Sequence, residues 1–153
     1  MDGDVLKKIS FFDTLTADEL NEVLALTKQE DFKGGDKIFS EGDKGDKLYI
    51  IIAGAIRISK SIPGMGEEAL SILRTGDYFG EMALIEDITR TADATAHEGS
   101  SLISISKEDL QSLMEKNREM GYKILTKFVG TLSRRLRETN DKLRSFFAMS
   151  GGF

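Results

Sequence analysis

Residues 34–60 read GGDKIFSEGDKGDKLYIIIAGAIRISK, short β-rich runs cut by tight turns. Gly-Asp occurs at Gly35, Gly42 and Gly45 and returns at Gly76. Gly supplies the positive φ that such turns require, and Asp bonds the backbone beside it. The runs between them, rich in β-branched and aromatic residues, predict strands at 37–40, 48–53 and 55–60, with another at 70–73. Ile56 and Ile58 alternate with Arg57 and Ser59, the pattern of a strand with one face buried. Nine of the fifteen glycines fall between positions 34 and 80, so strands in this zone are many and short. The grammar holds from about 28 to 106 and predicts a closed or double-sheet β architecture, a barrel or jelly roll.

Helical sequence flanks this zone on both sides. Within 1–27, Thr16-Ala-Asp-Glu19 reads as a capping box, followed by an apolar face of Leu20, Val23, Leu24 and Leu26. The expected division is a helical segment at 1–27, a β-roll at 28–118 and a final helix at 119–153. In that helix Leu125, Val129, Leu132, Leu136, Thr139, Leu143 and Phe146 step 4-3-4-3-4-3. This heptad seam has one polar position, Thr139, and predicts pairing of two copies. The alternative is a helix packed along its own domain, which also needs a seam.

Composition removes several classes of function. The 153 residues contain no Cys and one His, His97, so thiolate metal sites are excluded and an imidazole-rich metal site is not available. A Ser–His–Asp arrangement would have to use that same His97 without a supporting motif, so no catalytic residues and no metal ligands are expected. The net charge of −5 argues against general nucleic-acid binding. The late cluster Arg134, Arg135, Arg137, Lys142 and Arg144 reads as the solvated flank of a helix. MDGDVLKKIS has no signal-peptide pattern, and no stretch reaches the roughly 20 apolar residues of a membrane span. A cytoplasmic protein without membrane partners is the expectation.

The chemistry then rests on one segment, GDYFGEMALIEDITRTA at 76–92. Gly80 ends a strand and admits close approach of the backbone, and Glu81–Ile85 can begin a short helix. Arg90 follows a polar loop, and Ala92, Ala94 and Ala96 offer one small-residue face. A carboxylate and a guanidinium at this spacing suit a compact ligand with both a hydroxyl and a phosphate. Glu81 and Arg90 would equally serve as a structural salt bridge.

The run Phe79-Gly-Glu-Met-Ala-Leu-Ile85 through Arg90-Thr-Ala92 resembles the phosphate-binding cassette of the cyclic-nucleotide-binding domain family. The stretch from Gly35 to Tyr49, then Gly54, is similar to that family's β-roll. The resemblance covers essentially the whole chain. It implies a mainly β fold: an eight-stranded β-roll with N-terminal helices and a long C-terminal helix. The implied ligand is a cyclic mononucleotide, cAMP or cGMP, with no further cofactor. By the same resemblance Glu81 binds the ribose 2′-hydroxyl, and Gly80 and Ala83, flanking Met82, offer backbone amides. Arg90 pairs with the cyclic phosphate, Thr91 serves the phosphate or a guanine edge, and Leu70 and Ile72 wall the base beside Ala92. The run Arg134–Lys142 resembles the dimerisation helix of bacterial catabolite activators. There Thr139 and Asn140 match a base-capping pair, one residue from each subunit of a homodimer, which favours cAMP.

Two positions depart from the family pattern: Thr89, where Pro is frequent, and Asp93, an acid near the expected phosphate. The activators continue into a DNA-binding domain. This sequence ends at Phe153, so the expectation is a stand-alone sensor without direct DNA binding, acting on an unidentified downstream protein. The other reading is an effector-independent β-roll scaffold, for which Asp93 is the best support. Haem in the same fold is disfavoured by zero Cys and a single His.

Overall fold

The computed structural model describes residues 6–151. A 3-10 turn at Ser10–Phe12 and helix α1 (Ala17–Ala25) precede eight strands. These are β1 (Lys28–Phe32), β2 (Lys37–Phe39), β3 (Lys47–Ala53), β4 (Ala55–Ile62), β5 (Gly66–Arg74), β6 (Tyr78–Phe79), β7 (Asp93–Ala96) and β8 (Ser100–Ser106). A single turn of helix, α2 (Met82–Ile85), separates β6 from β7, and α3 (Lys107–Lys116) and α4 (Arg118–Met149) close the chain. The strands form two antiparallel four-stranded sheets, ordered β1-β8-β3-β6 and β2-β7-β4-β5. Of the closed and double-sheet architectures that the turn chemistry allowed, the double sheet is observed, and its eight strands match the β-roll that the resemblance implied.

The apolar run at 48–53 is explained by a sheet covered on both faces. Leu48 and Ile50 point into a cluster shared with the helices, including Phe11, Phe12, Leu20, Ile103, Met120, Ile124 and Phe128. Tyr49 and Ile51 point the other way, between the sheets, to join Ile56, Phe79, Ala94, Ala96 and Leu102. Period-two alternation thus feeds two cores from one strand. The N-terminal, β and C-terminal zones all contribute to the first cluster, so they share one packing unit. Gly54, between β3 and β4, has φ +92°, and a Cβ there would lie 2.6 Å from the Gly99 carbonyl oxygen.

In β4 the expected alternation fails at Ser59, which is fully buried. Ile58 faces Ser71 and Ser59 faces Ala69, which leaves Leu70 as the extra residue of a bulge in β5. The Ser59 hydroxyl donates to Glu67 Oε1 at 2.7 Å, and the bulge re-aims Leu70.

The capping box of α1 is formed as the sequence predicts. Glu19 N donates to Thr16 Oγ1 at 3.2 Å, and Thr16 N donates to Glu19 Oε1 at 2.9 Å. Glu19 also accepts from Lys123 Nζ at 2.7 Å, tying α1 to α4. The Lys123 hydrogen bond, followed by that from Thr16, holds the Glu19 carboxyl below its ordinary value of 4.5. A depressed carboxylate stabilises the fold above its unfolded pKa and loses that contribution as pH falls through the folded value. Glu19→Gln keeps a capping side chain and removes the charge. It is expected to lower the melting temperature at pH 7, with the difference from wild type shrinking as pH falls below the ordinary value of 4.5. A constant difference across that range in thermal melts would count against the ion pair.

Helix α4 changes character along its length. Met120, Gly121, Ile124 and Phe128 are buried, and the Phe128 ring packs tilted against Phe11 at 5.2 Å and edge-on against Tyr78 at 5.5 Å. Buried aromatics of this kind resist truncation to Ala by about 3–5 kcal/mol, so the first half of α4 is firmly docked. Beyond Phe128 none of the described residues is buried.

Candidate functional site

A cavity of about 1030 Å³ opens where the second half of α4 passes over the segment 79–92. Its apolar side is built by Ile58, Leu70, Ile72 and Leu73, with Phe39 and Phe79 at its base. The polar side carries Gly80, Glu81, Met82, Thr89, Arg90, Thr91 and Ala92. Helix α4 contributes Leu132, Leu136, Thr139 and the charged Arg134, Arg135, Glu138 and Lys142.

Gly80 follows β6 with φ +84°, where a Cβ would lie 2.6 Å from Arg90 Nη1 and 2.9 Å from the Lys47 carbonyl oxygen. Only glycine lets the backbone and the guanidinium come this close. Arg90 is 5% exposed. Its Nη1 donates to the Gly80 carbonyl at 3.2 Å and its Nη2 to the Lys47 carbonyl at 2.8 Å. Its Nε is buried without a hydrogen-bond partner. Among the described residues no carboxylate forms an ion pair with it. Burial pushes the Arg90 pKa down, and the charges of Tyr49, Asp46 and Glu81 oppose that shift.

Glu81 is 4% exposed and does not bond Arg90, so the salt bridge considered from sequence is not the one formed. Its Oε1 instead takes an ion pair from Arg135 Nη1 of α4. Arg135 Nη2 donates to the Tyr78 carbonyl at 2.6 Å, and its guanidinium lies 5.3 Å from the Tyr78 ring centre. One α4 side chain thus bridges the cavity floor to the helix above it. The sequence reading placed Arg135 in the solvated flank of the helix; the structure corrects this, because its guanidinium turns into the cavity wall to meet Glu81. The available signal is its place four residues before Thr139, one turn earlier on the same helix face.

The other expected residues fall out as follows. Thr91 and Ala92 precede β7 and line the cavity together with Arg90. Leu70, at the β5 bulge, and Ile72 both face it. Ala83 lies in the single turn of α2. Thr139 reaches the wall; Asn140, about 100° further round the helix, is exposed and outside it within one chain. Asp93 is also outside the wall. Its Oδ1 accepts from Glu41 N at 2.7 Å, and its Oδ2 lies 3.8 Å from Lys37 Nζ.

The model of the cyclic nucleotide-binding domain matches residues 29–117. The chain belongs to the cyclic nucleotide-binding domain family. It is 36% identical over 128 residues to a CRP-like cAMP-activated global transcriptional regulator of Mycobacterium tuberculosis, covering 82% of this chain and 55% of the regulator. It is 38% identical over 109 residues to a cGMP-dependent protein kinase of Toxoplasma gondii, covering 71% of this chain and 10% of the kinase. A crystal structure of a cyclic nucleotide-binding domain from Methylobacillus flagellatus superposes with a TM-score of 0.81 at 25% identity, covering 91% of this chain and 78% of that one. The chain therefore spans about half of the regulator's length and a small part of the kinase's. These relatives are regulators or carry regulatory domains. No helix among the described residues is long and apolar enough to cross a membrane.

Proposed function

We propose that this cyclic nucleotide-binding domain holds cAMP or cGMP in the cavity and passes its occupancy to α4 and thence to a partner protein. The observation that carries this reading is Arg90: a cation 5% exposed, in the cavity wall, with no carboxylate partner among the described residues. Burying such a charge is costly unless an anion and hydrogen bonds compensate it. A cyclic phosphate supplies both, and the guanidinium fork matches its geometry. Glu81 would accept from the ribose 2′-hydroxyl, the amides of Gly80 and Ala83 would face the phosphate, and Leu70 and Ile72 would flank the base. The M. tuberculosis relative is named for cAMP and the T. gondii relative for cGMP. Thr139 at the cavity wall supports cAMP as the first ligand to test.

Relay to the helix has a physical route in Arg135. Because Arg135 bonds Glu81, any ligand that engages Glu81 acts on the charge to which α4 is tied. Calorimetric titration with cAMP and with cGMP tests the binding, and absence of heat with both rejects it. Hydrogen exchange tests the relay: nucleotide is expected to change protection across 131–149 in wild type. In Arg135→Leu, nucleotide still binds but that change is lost. An unchanged protection pattern in wild type would sink the relay.

A further inference from the structure

We propose that Phe39 is a positioning residue for Arg90, its ring face holding the guanidinium in the orientation that receives an anion. This inference rests on the reading of the cavity as a cyclic-nucleotide site. The Arg90 guanidinium carbon lies 4.2 Å from the Phe39 ring centre and 5.9 Å from that of Tyr49. Phe39 is itself seated in a ring cluster. Its centre lies 5.8 Å from Phe79 and 6.0 Å from Tyr49, and those two stack at 5.2 Å with an 11° interplanar angle. Two of these rings, Phe39 and Phe79, stand in the cavity wall beside Arg90.

The need for such a seat follows from what else holds the guanidinium. Two backbone carbonyls, of Gly80 and Lys47, take one bond each from its terminal nitrogens, and Nε has none. Two edge contacts leave the flat face of the group to be fixed by something else. The negative face of an aromatic ring attracts a cation, and the attraction grows as water is removed. At 5% exposure Arg90 is in the regime where it counts. Arg also stacks on rings through its planar group, which Lys cannot do.

The backbone around Phe39 serves the same residue. The chain leaves β2 at Phe39 and turns through Ser40–Asp43. There Gly42 N donates to the Arg90 carbonyl at 2.9 Å, and Arg90 N donates to the Asp43 carbonyl at 2.8 Å. Asp93 accepts from Glu41 N within this turn. One short segment therefore grips Arg90 by main chain and by side chain. A cation fixed before the ligand arrives loses less freedom on binding, which raises affinity without a new ligand contact.

The test compares Phe39→Leu, which keeps apolar bulk without a ring face, with Phe39→Tyr, which keeps the ring. Each is titrated with cAMP and with cGMP, and ligand-free melting temperatures are recorded. Phe39→Leu is expected to weaken both nucleotides by about tenfold, to a similar extent because the phosphate is common to both. Phe39→Tyr is expected to stay close to wild type. In ligand-free protein the Arg90 Nε–H resonance should carry an upfield ring-current shift that Phe39→Leu abolishes and Phe39→Tyr retains. Unchanged affinity in Phe39→Leu, or equal losses in both variants, would overturn the proposal; equal losses would reduce Phe39 to packing. If wild type binds neither nucleotide, the cavity reading falls and takes the ligand role of Phe39 with it. An intact ring-current shift with unaltered binding in Phe39→Leu overturns the positioning role while sparing the site.

Discussion

Arg90→Leu is expected to weaken cyclic-nucleotide binding by at least about 30-fold, roughly 2 kcal/mol. The substitution removes the one guanidinium that faces the cavity floor from within the segment 79–92 and leaves the ligand phosphate to lose its water without a charged partner. A half-empty charge-assisted pair in a partly desolvated pocket typically costs about 2–5 kcal/mol. The fold should survive, for two reasons. The main chain of Arg90 stays clamped by Gly42 and Asp43, and leucine keeps apolar bulk against the Phe39 ring on which the guanidinium rests. The carbonyls of Gly80 and Lys47 lose their donors; Gly80 lines the cavity, where water replaces the lost bond, and the Lys47 carbonyl accounts for a modest loss of stability. Thermal melting should therefore shift modestly while titration changes greatly. A dissociation constant within about threefold of wild type would sink the assignment of Arg90 to the phosphate.

The contrast between Arg90 and its neighbours shows how far sequence reasoning reaches here. Strands 37–39, 47–53 and 55–62 were legible because turn chemistry is local: Gly-Asp pairs act within a few residues of themselves. The segment 76–92 was legible because its residues meet within one stretch of chain. Contacts that close over distance were not. The Arg135–Glu81 pair spans 54 positions, and one Arg within a basic helical cluster looks the same whether it meets solvent or a buried carboxylate. Phe39 reads as an ordinary strand aromatic until β2 pairs with β7 and brings it beside Arg90. Ser59 reads as an outward polar residue because a bulge in the partner strand leaves no mark on its own strand. Asp93, which from sequence weighed towards a ligand-free scaffold, is turned to Glu41 and Lys37 instead. That removes the main objection to a phosphate beside Arg90.

Leu132→Asp is expected to give monomers with weakened nucleotide binding, because the second half of α4 is built to be covered. Leu125, Val129, Leu132, Leu136, Leu143 and Phe146 are between 37% and 66% exposed and share one seam of the helix. The helix docks on its own domain through a different stripe, Met120, Gly121, Ile124 and Phe128. Leu132 and Leu136 line the cavity of their own chain, but Val129, Leu143 and Phe146 do not, and a second copy is the cover we propose for them, since a contiguous apolar stripe in water is unfavourable. Aspartate at the centre of a paired seam buries an uncompensated charge, typically about 3–5 kcal/mol, which is enough to separate the helices at micromolar concentration. Leu132 also lines the cavity, so its substitution alone would confuse pairing with direct ligand contact. Val129→Asp resolves this, because Val129 is on the seam but outside the cavity wall. If pairing and ligand are linked, Val129→Asp is monomeric and also binds nucleotide more weakly. Sedimentation with and without cAMP distinguishes the cases. Wild type that stays monomeric in both states, or Val129→Asp that still dimerises, would rule out the seam as the interface.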